Sequence, residues 1–132
     1  MTHVMKIQSA IACDDIRFET GNKLIAIGMY GQDITVPGFP CILMLRFIIV
    51  ADIFIVGSLE FDFRVSGFNK TILMTSKGIM EVTKAGSGII FPTAPCPFSI
   101  SEPGEFTLQH QIAPNKWRNV QTWVVNQGAP VA

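Results

Sequence analysis

The carboxylates of Asp14, Asp15 and Asp33 could supply oxygen ligands to a hard cation. A calcium site of this kind needs six or more oxygens, brought together from loops that carry several carboxylates. Asp14 and Asp15 are adjacent, however, and adjacent residues of a strand point to opposite faces. We expect a turn here, in which the aspartates bond their own backbone and Arg17 pairs with Asp15 or Glu19. The spacing therefore favours a structural role over a calcium site.

Cys13 and His110 are the residues from which a thiolate–imidazole nucleophile could be built. Nothing in their spacing brings them together, and Cys13 ends an apolar segment, where a free cysteine usually behaves as a small hydrophobe. We expect His110 to be a strand residue with a partly exposed ring. The only other histidine is His3, so the count excludes a multi-histidine metal site. We predict that the protein is not an enzyme and holds no cofactor or metal.

The two tryptophans, Trp117 and Trp123, lie six residues apart and would share one face of a regular strand. With Tyr30 or Phe106 they could form a platform on which a sugar or a base stacks. Such aromatic residues more often fill a core or a subunit interface, and that is the interpretation we favour.

Several other aromatic residues lie beside prolines, in segments around 38–40 and 92–98. A ring on a stiff, proline-containing loop buries a large area at little entropic cost, which suits an interface. We expect these two segments to dock on another protein. The predicted interface residues are Phe39, Pro40, Phe91, Pro92, Pro95, Phe98 and Trp117.

The elements that position these residues are organised around the segment 41–65. Its first part, from Cys41 to Val50, is a nearly continuous apolar run rich in β-branched residues, which is typical of a strand buried on both faces. Ala51-Asp52 is expected to mark a bend or bulge, because an unbroken strand here would be unusually long. Residues 59–65 alternate apolar and charged side chains, which predicts a strand with one dry face.

The rest of the chain also predicts strands, with no helical periodicity and with turn signals about every ten residues. Lys23 to Tyr30 is one such strand, and Thr71–Met74 and Gly78–Val82 are expected to be two short ones. This spacing indicates a single all-β domain over residues 1–132, an immunoglobulin-like or jelly-roll antiparallel β-sandwich.

The composition of the chain limits the kinds of partner that the protein can bind. Charged residues make up 15% of the chain, against about 25% in typical domains. Ten basic residues balance ten acidic ones, and the basic residues are scattered, so we predict no nucleic-acid partner. The apolar excess fits either a dry sandwich interior with some exposed aliphatic residues or an additional surface buried against another subunit, and we favour the second. A net charge of zero provides little repulsion between copies, which favours a homo-oligomer.

The number and spacing of the cysteines, and the hydropathy of the chain, indicate the cellular compartment in which the protein acts. The three cysteines are Cys13, Cys41 and Cys96. They are odd in number and too widely spaced for a metal knuckle, which fits a reducing cytosol and a chain that is not secreted. The run 41–57 approaches the length of a membrane span but contains Arg46 and Asp52, each costly in a bilayer. We therefore predict strands there and no membrane partner.

The opening third of the chain carries a recognisable pattern. Its segments are CDDIR at 13–17, GNK at 21–23, IGMYG at 27–31 and Asp33-Ile34, with weaker similarity through 40–47 and in PGEF at 103–106. This pattern resembles an uncharacterised family of small bacterial and phage-encoded proteins. No activity or catalytic residue is assigned to that family. The resemblance implies a phage or prophage gene product that acts inside the cell or in a particle assembled there.

These observations together predict a non-enzymatic assembly protein. The most concrete form is a phage capsid cement or decoration protein, or an accessory virion subunit, located in the virion or the host cytoplasm. Its partners would be copies of itself and a capsid or other structural protein. The alternative is a small oligomeric ligand-binding module, for example a host-defence antagonist, that uses Arg17, Arg64 and Asn69 as convergent polar groups.

Overall fold

The computed structural model of the chain describes residues 4–21 and 23–128. His3 and Asn22 lie outside them. The described residues form ten β-strands and no helix, hence no helix able to cross a membrane. The strands are β1 (Met5–Glu19), β2 (Lys23–Tyr30), β3 (Asp33–Val36), β4 (Cys41–Ile53), β5 (Gly57–Gly67), β6 (Thr71–Val82), β7 (Gly86–Pro92), β8 (Cys96–Ile100), β9 (Gly104–Ala113) and β10 (Lys116–Gln127).

The strands form two sheets that pack as a β-sandwich, as predicted. The first sheet has the order β2-β1-β4-β7, and β8 also pairs with β4. The second has the order β3-β10-β9-β5-β6. The pairing is antiparallel except between β3 and β10, which run parallel, so the sandwich is mixed at that one edge.

The core lies between the sheets and is centred on aromatic rings. Phe47 of β4 lies 5.3 Å from Trp123 of β10, and Trp123 in turn stacks on Phe106 of β9 at 5.4 Å, measured between ring centroids. All three side chains are buried. Each contributes roughly 1.5–3 kcal/mol by leaving water. The inward positions of β4 are Leu43, Leu45, Phe47, Ile49, Ala51 and Ile53.

The two faces of β4 are not covered equally. Ile48 is buried on the outer face, in a small cluster with Cys13 and Ile16, whereas Ile42 is 73% exposed. The prediction that the whole run is buried on both faces is therefore wrong at its beginning. The cause is the pairing, because β1 pairs with β4 only from Arg46 onward. The expected irregularity at Ala51-Asp52 is confirmed by a register shift between β4 and β7.

One edge of β4 is shared by two strands, and Thr93 fills the gap between them. β7 pairs with β4 from Ile48 onward, and β8 pairs with it before Arg46. Between them, the Thr93 N–H donates to the Phe47 carbonyl oxygen at 2.8 Å, and the Phe47 N–H donates to Thr93 Oγ1 at 3.1 Å. The threonine hydroxyl thus takes the place of a ladder carbonyl in the buried sheet.

Replacing Thr93 with valine should destabilise the fold. Valine has nearly the same shape but no hydroxyl, so the Phe47 N–H would stay buried without an acceptor. We expect the free energy of unfolding to fall by about 1–3 kcal/mol, measured by urea denaturation. Thr93→Ser keeps the hydroxyl and should lose less. A valine variant as stable as the parent would show that the hydroxyl is not needed.

Candidate interaction surfaces

The outer surface of the first sheet is apolar over two neighbouring strands. Ile42 and Met44 of β4 alternate with inward core residues and are 73% and 49% exposed. Val50 pairs with Ile90 of β7, which is 55% exposed. We call the surface formed by Ile42, Met44, Val50 and Ile90 the apolar face. Contact between these apolar side chains and water is unfavourable in free energy.

Strand pairing places the two proline-containing segments that the sequence singled out at opposite ends of one two-stranded ribbon. Cys41 of β4 pairs with Ile100 of β8, and Met44 pairs with Pro97. Segment 38–40 therefore adjoins the end of the ribbon where Cys41 pairs with Ile100, whereas Pro95 adjoins the end where Leu45 pairs with Cys96. A shallow depression of about 710 Å³ lies on this ribbon. It is lined by Pro40, Cys41, Ile42, Ser99, Ile100 and Ser101.

The predicted interface residues divide between surface and core. Pro40 and Pro95 are exposed, while Phe39, Pro92 and Trp117 are half-buried. Phe91 and Phe98 are only 7% and 1% exposed. The prediction that these last two rings are surface anchors is wrong.

The physical reason is that Phe91 and Phe98 lie on strands rather than on loops. Phe98 faces inward and lies 5.7 Å from the Phe106 ring, while its neighbours Pro97 and Ser99 face out. Prolines are compatible with these strands because β7 and β8 lie at an edge of the sheet, where a missing N–H leaves no partner unpaired.

Sequence reasoning missed the exposed members of the apolar face. Ile42, Met44 and Ile90 belong to apolar runs in which both alternating positions are hydrophobic. Such a run shows that both faces of a strand are apolar, but not whether a second layer covers each face. The nearest sequence signal was the excess of apolar residues over charged ones.

The beginning of β4 also has an open backbone edge. Residues 41–45 pair with β8 on one side, while β1 pairs with β4 only from Arg46. Among the described residues, no strand pairs with 41–45 on the other side. Unpaired N–H and C=O groups beside exposed apolar side chains can accept an added strand.

Over β5, β9 and β10, the outer surface of the second sheet is polar. Arg64 Nε of β5 donates to Gln109 Oε1 of β9 at 2.7 Å, and Gln109 Nε2 donates to Asn119 Oδ1 of β10 at 2.8 Å. The guanidinium carbon of Arg64 lies 4.1 Å from the centre of the Trp117 ring. We call the surface formed by these four residues the polar face.

Arg17 lies on β1 of the first sheet, so Arg17, Arg64 and Asn69 do not converge.

Trp117 and Trp123 lie on opposite faces of β10, contrary to the expectation for a regular strand. Asn119 pairs with Gln109, but Gln121 pairs with Leu108. Val120 is therefore an extra residue, and such a β-bulge reverses which side chains face inward beyond it. Trp123 fills the core, Trp117 faces outward, and the two do not form a joint stacking platform.

The aspartates do not form a cation site. Asp14 and Asp15 lie within β1 rather than in the expected turn, and Asp33 lies on β3 in the other sheet. Asp15 accepts a hydrogen bond from its neighbour's backbone N–H, as expected. Its ionic partner is Arg46 at 3.8 Å, not Arg17. No group of three or more His, Cys, Asp or Glu within the described residues could hold a metal ion.

Asp14 interacts with the end of β2. It accepts a hydrogen bond from the Tyr30 hydroxyl. Partial burial, together with this hydrogen bond and the nearby carboxylate charge, raises the pKa of Tyr30 to about 12. The carboxylate and the phenol therefore join β1 to β2 across the pH range in which the phenol stays protonated.

Cys13 and His110 also lie apart, on different sheets. Cys13 is buried on the outer side of the first sheet, where its thiol donates to the Arg46 carbonyl oxygen at 3.6 Å and burial raises its pKa. His110 is 8% exposed rather than partly exposed as expected, and stacks on Phe63 at 4.9 Å. Burial, and then the charge of Arg118, lower the pKa of His110. The cysteines are free thiols, as predicted.

Comparison with known proteins gives no further guide to these surfaces. Neither a scan against protein-family models nor a search of curated proteins found a match to the chain. Inference about function therefore rests on the apolar face and the polar face.

His110 should make the stability of the protein depend on pH. Its pKa is lower in the folded chain than its ordinary value of 6.5, so the unfolded chain binds more protons. The free energy of unfolding should fall as the pH drops from 7.5 through 6.5 towards the lowered pKa, by at most about 1.4 kcal/mol per pH unit for this one group. Urea denaturation at several pH values measures this slope.

The matched variant is His110→Phe, which keeps a ring against Phe63 but cannot take up a proton. We expect its stability to change less than that of the parent between pH 7.5 and pH 5.5. The same slope in both proteins would mean that His110 does not cause the dependence.

Proposed function

We propose that this protein is a non-enzymatic assembly protein that attaches to other proteins through its apolar face. The single observation that carries the proposal is the exposure of large apolar side chains along neighbouring strands of the first sheet, where Ile42 is 73% and Ile90 is 55% exposed. Single exposed apolar residues are ordinary, but several large ones on one side of a sheet favour an interaction surface. Covering it contributes roughly 25 cal/mol for each Å² of apolar area removed from water, before the costs of association.

Arg46 lies in the middle of this face and does not oppose its burial. Its Nε and Nη2 both donate to the Thr93 carbonyl oxygen at 3.3 Å, and its Nη1 lies 3.8 Å from Asp15. The guanidinium therefore already has partners within the chain. A charge that keeps its partners when water is removed costs much less to bury than an unpaired one. This pairing supports the apolar face as a contact surface along its length.

We infer that the first partner is a second copy of the chain, and that a capsid or other structural protein of a phage particle is the eventual one. The phage context comes from the resemblance of residues 13–31 to small bacterial and phage-encoded proteins. In this role the protein is a capsid cement or decoration protein, or an accessory subunit, of the virion. Adhesion needs no catalytic group, and the low charge of the chain suits contact between subunits.

We also infer that the sandwich is of the immunoglobulin-like kind. In that fold the last two strands, F and G, share a sheet with strand C, while A, B and E lie together in the other sheet. The orders β10-β9-β5 and β1-β4-β7 follow the same arrangement, with β2 added beyond β1. This order favours the immunoglobulin-like alternative over a jelly roll.

Changing Ile42 to aspartate should weaken self-association. A carboxylate at this position would lose water when the apolar face is covered, at a cost of several kcal/mol unless it found a partner. We expect the parent protein to be a stable oligomer in a concentration series followed by light scattering, and Ile42→Asp to shift towards monomer.

Ile79→Asp is the matched control. Ile79 is 67% exposed, similar to Ile42, but lies on β6 of the second sheet. We expect this variant to keep the parent's mass, and circular dichroism to show the same strand content in all three proteins. A parent that stays monomeric at every concentration would remove self-association from the proposal. Equal masses for the parent oligomer and Ile42→Asp would show that the interface lies elsewhere.

A further inference from the structure

The polar face adjoins a shallow depression that is lined by polar side chains together with the Phe68 ring and the apolar parts of its other lining residues. The depression has a volume of about 390 Å³ and lies where the β5–β6 turn meets the outer side of β9 and β10. Its polar side chains include two carboxamides from the polar face, Gln109 and Asn119. They are joined there by Asn69, Lys70, Glu105 and Thr107.

We propose that this depression binds a carbohydrate, with Trp117 as a stacking wall beside it. Carboxamide and hydroxyl side chains both donate and accept hydrogen bonds, which matches the hydroxyl groups of a sugar. The one cation, Lys70, is balanced by the one anion, Glu105, so the lining favours a neutral ligand over a phosphate. Trp117 lies two residues before Asn119 on the same outward side of β10 and stays partly exposed.

The hydrogen bonds of the polar face hold its side chains in place before any ligand arrives. Gln109 uses its oxygen to accept from Arg64 and one N–H to donate to Asn119. The Asn119 side chain accepts through its oxygen, so its NH₂ group can donate to a ligand. Arg64 also lies over Trp117 at 4.1 Å, which fixes the indole. Side chains fixed in advance lose less conformational entropy on binding, so a weak neutral ligand can be held.

The turn at the rim of the depression has an unusual backbone. Phe68, Asn69 and Lys70 all have positive φ, at 47°, 74° and 64°. This conformation costs roughly 1–2 kcal/mol for Phe68 and for Lys70, whereas asparagine adopts it more readily. The Phe68 N–H donates to the Glu105 carbonyl oxygen at 3.2 Å. The Phe68 ring also covers Gly104, where an added Cβ would lie 2.7 Å from it. These contacts hold the strained turn and project Asn69 and Lys70 beside Glu105, an arrangement common at ligand sites.

The test is a nuclear magnetic resonance titration of the whole chain with three neutral trisaccharides: maltotriose, cellotriose and triacetylchitotriose. The signals to follow are the side-chain amides of Gln109 and Asn119 and the indole N–H of Trp117. We expect at least one sugar to shift these signals saturably while the indole N–H of buried Trp123 stays unchanged. No saturable shift with any of the three sugars would overturn the proposal.

Two asparagine variants separate a binding site from a general effect on β10. Asn119→Ala removes a lining amide, whereas Asn126→Ala removes an exposed amide of the same strand that is not part of the depression. We expect the first to weaken binding about tenfold, the loss of roughly one good hydrogen bond, and the second to leave it unchanged. Equal weakening by both would overturn the assignment of the site.

This proposal is independent of the proposed assembly function. Ile42→Asp changes only the opposite sheet, so it should bind the sugar with the parent's affinity even where it no longer self-associates. Loss of sugar binding in that variant would place the ligand at the apolar face or between subunits, and would overturn the site on the second sheet.

Discussion

Backbone pairing along β4 is the constraint on which the rest of the structure depends. Its later half is held between β1 and β7, while its first five residues pair with β8 alone. Thr93 joins the two arrangements through its hydrogen bonds to Phe47. The carbonyl oxygen of the same residue accepts from Arg46. Because β1 leaves β4 at Arg46, the outward apolar side chains before that point have no β1 side chains beside them.

The apolar face and the polar face consequently differ in chemistry. On the apolar face of the first sheet, water is in contact with isoleucine and methionine, and the guanidinium of Arg46 is already paired. The polar face has carboxamides, an arginine and a tryptophan that bind one another across three strands. A subunit attached through the first surface would leave the second directed away from the contact. Assembly and recognition of a neutral ligand can therefore coexist in one small domain.

Much of the strand pattern could be predicted, because alternation and turn residues are local properties. β2 was predicted with the bounds that the structure has, and the alternation at 59–65 lies within β5. The division of β6 into two strands was wrong. Gly78, taken as the start of a new strand, continues the ladder opposite Phe61, whose ring occupies the space where a side chain would lie. The glycine there serves a cross-strand contact that local sequence does not reveal.

The candidate surfaces were less predictable, since they depend on which elements become neighbours. The sequence by itself determined an all-β sandwich and free cysteines. It also determined an apolar content too high for a surface made mainly of charged residues. These properties follow from composition and periodicity. Only the tertiary structure decided that Phe91 and Phe98 enter the core while Ile42 stays outside, because burial depends on the strand or sheet that covers each face. It also decided that Trp117 and Trp123 separate, since one extra residue at Val120 reverses the faces of β10.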